Sequence, residues 1–225
     1  MVAGTVCRQL GRLGHPVLAL DVDTMPGLVF SLGAPQGEAR LPDGLAERVE
    51  GKGWRVLRKG AGAAYLVDRY AARAPDGVRF LELGKLPERV EPAVTVAFRH
   101  VMERFKRPGW DVVADLAAGT RQPMFRWARF AQTVIVIAEP TIKSTLTARR
   151  LLPVATHLVV SKVRSKSDIE MICAAVPLPL LEAIPYDAAV AEAERNGLAP
   201  IDFAADSPAV EAAGRLAQRL TEVRP

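Results

Sequence analysis

Three features of the 225-residue sequence predict an α/β domain with a doubly wound, mainly parallel sheet. Six short apolar runs, rich in Val and Ile, each stop abruptly at small, acidic or proline residues, as strands covered on both faces do. The segments between them repeat apolar residues at helical spacing. Strand and helix patterns alternate, which implies parallel pairing through crossover helices.

Taken in order, Val2 to Leu13 reads as a helix with Val6, Leu10 and Leu13 on one side. It leads through Gly14 into a first strand, Pro16 to Leu20, that stops at Asp21-Val-Asp23. Doubly wound domains open with a strand, a phosphate-binding turn and then such a helix. The expectation is therefore a fold lacking its first strand and P-loop, or a functional protein that begins further upstream. Ser31 to Arg73, with its Gly and Pro clusters, reads as loops and short helices. A strand follows at Val78 to Leu83, then a helix at Val90 to Phe105 with Val94, Ala97, Phe98, Val101, Met102 and Phe105 on one stripe. Further strands are Trp110 to Ala114 before Asp115, Thr133 to Ala138 before Glu139-Pro140, and His157 to Val160 before Ser161-Lys162. The last is Leu178 to Ile184 before Pro185-Tyr186-Asp187. Helical patterns cover Thr141 to Leu152, Lys166 to Ala175, Ala188 to Arg195 and Pro208 to Val223. No internal repeat is present, and residues 1–225 read as a single domain.

Composition narrows the class. Hydrophobic residues make up 49% of the chain and charged residues 24%, which excludes collagen-like, disordered and disulfide-scaffold proteins. Cys7 and Cys173 have no metal-ligand spacing and read as small core residues. His15, His100 and His157 are dispersed, and no Ser-His-Asp set is legible. No apolar stretch reaches the ~18 to 20 residues of a membrane helix. Arg8, Arg12 and His15 interrupt the amino end, so no signal peptide is read and the expected compartment is the cytoplasm. The net charge of +5 comes mostly from scattered arginines, a weak attraction to polyanions without a nucleic-acid motif.

Ligands of open parallel sheets bind beyond the carboxyl ends of the strands. There stand Asp21, Asp23 and Asp115, a set that suits Mg²⁺, which takes one or two carboxylates and leaves its other positions to water and phosphates. The plainer reading of each Asp is a turn former or helix cap. Gly119 would let the backbone approach a terminal phosphate, or is a turn glycine. Asp21 alone would also fit the ribose-binding acid of a dinucleotide domain, but that leaves Asp115, Gly119 and Glu139-Pro140 without a role.

These strand ends carry a resemblance. Leu13 to Asp23 is similar to the segment after the P-loop helix of the deviant-Walker ATPases, the class of the septum-site (MinD), chromosome-partitioning (ParA), arsenite-pump and nickel-insertion ATPases. Trp110 to Gly119 resembles their Walker B strand and switch. Ile137 to Ser144, Thr147 to Arg150, Leu158 to Val163 and Ile184 to Asp187 are most similar to the carbon monoxide dehydrogenase accessory, or nickel-insertion, branch. The resemblance implies an ATP- and Mg²⁺-dependent switch that dimerises and drives a partner. It implies that Asp21 and Asp23 lie near Mg²⁺ and the attacking water, that Asp115 anchors Mg²⁺, and that Gly119 senses the terminal phosphate. Ser161-Lys162 stands in the place of an adenine-reading Asn-Lys pair, and Pro185, Tyr186 and Asp187 in that of the loop against the base. Three departures stand out: the Gly- and Lys-rich P-loop is absent, Lys85 to Pro108 lacks the nickel-insertion branch's Cys-x-Cys, and Ser161 replaces asparagine. The expected partner is a metalloenzyme or a membrane-associated complex, met through Lys85 to Arg107 and Arg121 to Arg129, with DNA a weaker expectation. Alternatives are a non-catalytic relative that serves as an interaction or regulatory module, and a chromosome-partition-type ATPase.

Overall fold

The computed structural model describes residues 1–23, 27–37, 39–84, 92–123 and 127–223. The helices are α1 (Val2–Arg12), α2 (Leu28–Leu32), α3 (Ala63–Tyr70), α4 (Pro92–Arg104), α5 (Ile142–Arg150), α6 (Lys166–Ala175), α7 (Ala188–Arg195), α8 (Pro200–Phe203) and α9 (Pro208–Glu222). The strands are β1 (Val17–Asp21), β2 (Ala46–Arg48), β3 (Arg55–Leu57), β4 (Ala72–Arg73), β5 (Arg79–Glu82), β6 (Asp111–Asp115), β7 (Ile135–Ala138), β8 (His157–Val163) and β9 (Leu180–Pro185). All six predicted strands and the six long helices form, with ends displaced by a few residues.

The sheet is α/β and mainly parallel, and it comes in two leaves. One has the order β4-β5-β1-β6 and the other β7-β8-β9; only β4 runs antiparallel. Double winding is visible along β1, whose successive residues enter opposite cores. Leu18 and Leu20 join Leu66, Phe98 and Met102 under α3 and α4, while Val17 and Ala19 join Phe80, Ile201 and Leu216 under α1, α8 and α9. The predicted α4 stripe is buried throughout, Ala97, Phe98 and Val101 at 0% exposure. A third cluster, with Val136, Leu158, Val160 and Ile172, sits under α5 and α6.

Residues 31–73 differ from the sequence expectation, because they also hold the antiparallel hairpin β2–β3 and the short β4. The outward residues of this hairpin include Glu47, Arg48 and Lys52, so no apolar alternation announces it. The carboxyl-terminal α9 packs on the domain as its mixed charges predict. Ala209, Val210, Ala212, Ala213, Leu216 and Ala217 are buried, while Arg215 and Arg219 pair with the nearly buried Glu182 of β9.

Helix α1 is fixed at close range. A side chain at Gly4 would meet the Cβ of Ser31 at 2.5 Å, so α1 and α2 touch backbone to backbone. Arg8, 3% exposed, donates to Asp76 at 2.5 Å and to both carboxylate oxygens of Asp202 at 2.5 and 2.8 Å. Among the described residues no helix is long and apolar enough to cross a membrane.

Candidate functional site

Each leaf of the sheet has an open edge. Strand β6 pairs with β1 on one side and β7 with β8 on one side, and no pairing joins β6 to β7 among the described residues. Between them lies a cavity of 1880 Å³ lined along its length by β6 and β7. At the end where the strands finish, its wall includes Asp23, Asp115, Gly119, Glu139, Lys162 and Tyr186. Helix α1 runs back to the start of β1, so its amino end lies at this same carboxyl edge. Accordingly Met1, Val2 and Ala3 line the cavity, and the Met1 amino nitrogen is 3.6 Å from Glu194. The cavity therefore brings strand ends, two of the three predicted acids and a helix amino terminus into one space.

The three acids have different environments. Asp21 and Asp115 are register partners on adjacent strands, and Asp23 follows two residues later. Asp21 is 1% exposed and does not line the cavity. One carboxylate oxygen accepts the N–H of Asp23 at 3.0 Å, and the other accepts those of Gly27 and Leu28 at 3.1 and 3.0 Å. Burial lifts its carboxyl to about 6 despite these donors, and the charges of Asp115 and Asp23 add to the rise. Asp21 thus organises the loop into α2, which is the cap reading of the sequence. Asp115 faces the cavity; burial raises its carboxyl above the usual range, the Met1 amino group opposes this, and Asp23 reinforces it. Two partly desolvated carboxylates at one strand edge attract a hard cation. Among the described residues no group of three or more His, Cys, Asp or Glu could hold a metal ion by protein ligands alone. Mg²⁺ itself takes one or two carboxylates and leaves the rest of its shell to water and phosphate oxygens.

The loop after β6 carries Gly119 at φ +110°, a conformation that L side chains rarely adopt. This loop and the loop after β1 are joined by a residue that the sequence reading named only within the expected partner segment, Arg121 to Arg129. Gln122 accepts the Ala117 N–H at 2.8 Å and donates to the Val22 carbonyl at 2.8 Å. A lone Gln in a polar loop has no sequence signature.

At the far side, Ser161 is buried at 5% exposure on β8, and Lys162 follows with φ +60° where the β8–β9 register shifts. The Lys162 ammonium reaches Glu139, on the neighbouring strand end, at 2.7 Å. Tyr186 is 43% exposed, with the Arg164 guanidinium 3.8 Å from its ring centre, and an aromatic face carrying a cation is a ready stacking platform. Asp187 caps α7, accepting the Ala189 N–H at 2.9 Å. Pro185, Tyr186 and Asp187 all line the cavity with Ser161 and Lys162, so the geometry gathers all the predicted site residues but Asp21 around one space. The described residues at this edge contain no Gly- and Lys-rich turn to cradle phosphates.

No family model matches the chain. An uncharacterized ATP-binding protein of Methanocaldococcus jannaschii is 24% identical over 216 residues, 87% of this chain and 84% of that protein. Among solved structures, the septum site-determining protein MinD of Pyrococcus horikoshii, complexed with Mg-ADP, superposes with TM-score 0.73 at 20% identity. That match covers 99% of this chain and 90% of that one. The fold is that of the MinD and ParA ATPases. A ParA family ATPase from Chlorobium tepidum gives TM-score 0.70 at 15% identity, over 97% of this chain and 91% of its own. The MinD and ParA likeness agrees with the resemblance read from the strand ends.

Proposed function

We propose that this chain is the body of a MinD/ParA-type ATPase, completed by a phosphate-binding strand and turn in the gap between β6 and β7. The observation that carries the reading is the gap between β6 and β7, which opens at the Asp23–Asp115 edge beside the amino end of α1. A five-residue strand with side chains on both faces takes about 800 Å³, from a rise of about 3.3 Å, a strand spacing of about 4.8 Å and a layer of about 10 Å. The 1880 Å³ of the cavity exceeds that volume, which supports a strand in the gap with a nucleotide at its carboxyl end. The turn after it would supply further backbone N–H groups and lysines to the phosphates, beside the amino end of α1 and Lys162.

In this reading Asp115 and Asp23 hold Mg²⁺, which when bound neutralises phosphate charge. Asp21 sets the loop that presents Asp23, and the Gly119 backbone approaches the terminal phosphate. Lys162 and Tyr186 border the base, and Asp187 fixes the Pro185–Asp187 loop by capping α7. Ser161 has only a hydroxyl where an amide would read the base edge, so discrimination between adenine and guanine is expected to be weak. Catalysis is positioning and charge neutralisation, with no covalent intermediate.

At the finer level, the segments Ile137 to Ser144, Thr147 to Arg150, Leu158 to Val163 and Ile184 to Asp187 support the nickel-insertion branch, a nucleotide-dependent homodimer that acts on a metalloenzyme or a membrane-associated complex. Without a Cys-x-Cys between residues 85 and 108, the dimer is not expected to gather metal. Part of the expected partner surface, 85–91 and 124–126, lies outside the described residues.

The test is a protein extended at its amino end by an apolar strand and a Gly/Lys-rich turn. It should bind Mg-ATP and hydrolyse it, whereas residues 1–225 alone should bind weakly or not at all. In the extended protein, Asp115→Ala and Asp23→Ala should each cost on the order of a hundredfold or more in turnover. Unchanged turnover in both variants, or micromolar Mg-ATP affinity of residues 1–225 alone, would refute the reading.

A further inference from the structure

We infer that Gln122 is a positioning residue that makes the two loops of the candidate site move as one body. The inference rests on the site assigned above but is drawn from contacts within the chain. Its carboxamide spans a sequence separation of 100 residues, donating to the Val22 carbonyl at 2.8 Å and accepting the Ala117 N–H at 2.8 Å. Val22 lies between Asp21 and Asp23, and Ala117 between Asp115 and Gly119. The Val22 N–H donates in turn to the Asp115 carbonyl at 2.9 Å, and the Asp23 N–H to the Asp21 carboxylate at 3.0 Å. A closed circuit results: loop after β1, Gln122 side chain, loop after β6, end of β6, and back to the loop after β1.

A primary amide of this length serves both sides at neutral pH, where an ionised carboxylate could only accept. The carbonyl oxygen must accept and the nitrogen must donate, at the two ends of one planar group. A ligand that draws Asp23 toward the cavity therefore pulls on Val22, and through Gln122 on Ala117 and the Gly119 turn. Ordering of one loop is transmitted to the other without a shift of the β1–β6 pair, whose register runs unbroken from Val17–Asp111 to Asp21–Asp115. The coupling would let the site respond to metal and terminal phosphate together.

The experiment is residue-resolved amide hydrogen exchange on the full 225-residue chain, in wild type, Gln122→Ala and Gln122→Glu. Gln122→Ala should speed exchange at Ala117, which loses its acceptor, by about tenfold. Coupling further requires faster exchange at Val22 and Asp23, whose N–H groups do not bond to Gln122. Gln122→Glu keeps the acceptor but, when ionised, cannot donate to Val22. Ala117 should stay protected while Val22 and Asp23 open, and lowering the pH through the ordinary glutamate range should restore them as the carboxyl gains a proton to donate. Exchange changed at Ala117 alone, with Val22 and Asp23 as in wild type, would overturn the inference, as would loss of protection throughout β1 and β6. Mn²⁺ alone, added as a paramagnetic probe, separates this from the site reading. Broadening of Asp23 and Asp115 signals supports the metal site, and its absence counts against that site while leaving the exchange result to judge Gln122.

Discussion

Strands β1 and β6 are hydrogen-bonded neighbours of equal length and similar composition, Val-Leu-Ala-Leu-Asp and Asp-Val-Val-Ala-Asp. Every residue of β1 is buried, and every residue of β6 is only half-buried. Their side chains do not explain this; what flanks them does. β1 has β5 on its other edge, and β6 has the cavity. The pattern of β6 is that of a strand covered on both faces, and its exposure follows from the edge that no described strand pairs.

The comparison can be broken by truncating each strand. Leu20→Ala, in the fully buried strand, should cost about 2 to 5 kcal/mol, read as a shift of the urea midpoint at constant m-value. Val113→Ala in β6 should cost on the order of 1 kcal/mol, since much of its surface is already wet. Equal losses would mean that β6 is as tightly held as β1. In the extended protein proposed above, the cost of Val113→Ala should rise toward that of Leu20→Ala.

A second contrast is electrostatic and should be of similar or slightly smaller size. Asp21 is sealed, with its carboxyl lifted to about 6, above the value it would have in an unfolded chain. Its protonated form is thus favoured by the fold. Stability from this group is fully present below the ordinary aspartate range and is lost as pH rises through about 6. The loss is on the order of 3 kcal/mol, and Asp115 adds to it in the same direction. Thermal melts from pH 4 to 7.5 should show this fall, and Asp21→Asn should flatten it while lowering stability at pH 4 through the lost acceptor for Gly27 and Leu28. A slope unchanged by Asp21→Asn would show that the burial of Asp21 is not what sets it.

The most local expected effect is at Gly119. A Cβ there meets nothing within 4 Å, so Gly119→Ala costs only backbone strain at φ +110°, about 1 to 3 kcal/mol confined to the loop. The midpoint of unfolding should move little, while amide exchange from Leu116 to Thr120 should quicken. A midpoint shift as large as that of Leu20→Ala would place Gly119 in the cooperative core.

Much of this was legible in the residues. Strand ends at Asp21, Asp115, Glu139 and Pro185 are marked because an apolar run must stop where the chain leaves a buried layer. The α4 stripe was legible for the same reason. What the sequence hid depends on pairing across distance. The β2–β3 hairpin turns charged side chains outward, so its alternation is masked. The different fates of Asp21 and Asp23, two residues apart, follow from which one meets the N–H groups of Gly27 and Leu28. Gln122 gained its role only when a residue 100 positions away came within 2.8 Å.

The anchoring of α1 has a kinetic consequence. Gly4 against Ser31, and Arg8 between Asp76 and Asp202, hold the helix whether or not the neighbouring gap is filled. Any segment joined ahead of Met1 is tethered at the mouth of that gap, at an effective concentration in the millimolar range. A strand too weak to bind from solution would then dock nearly completely. Without such a tether, the two facing edges left unpaired among the described residues are a template for strands of other molecules.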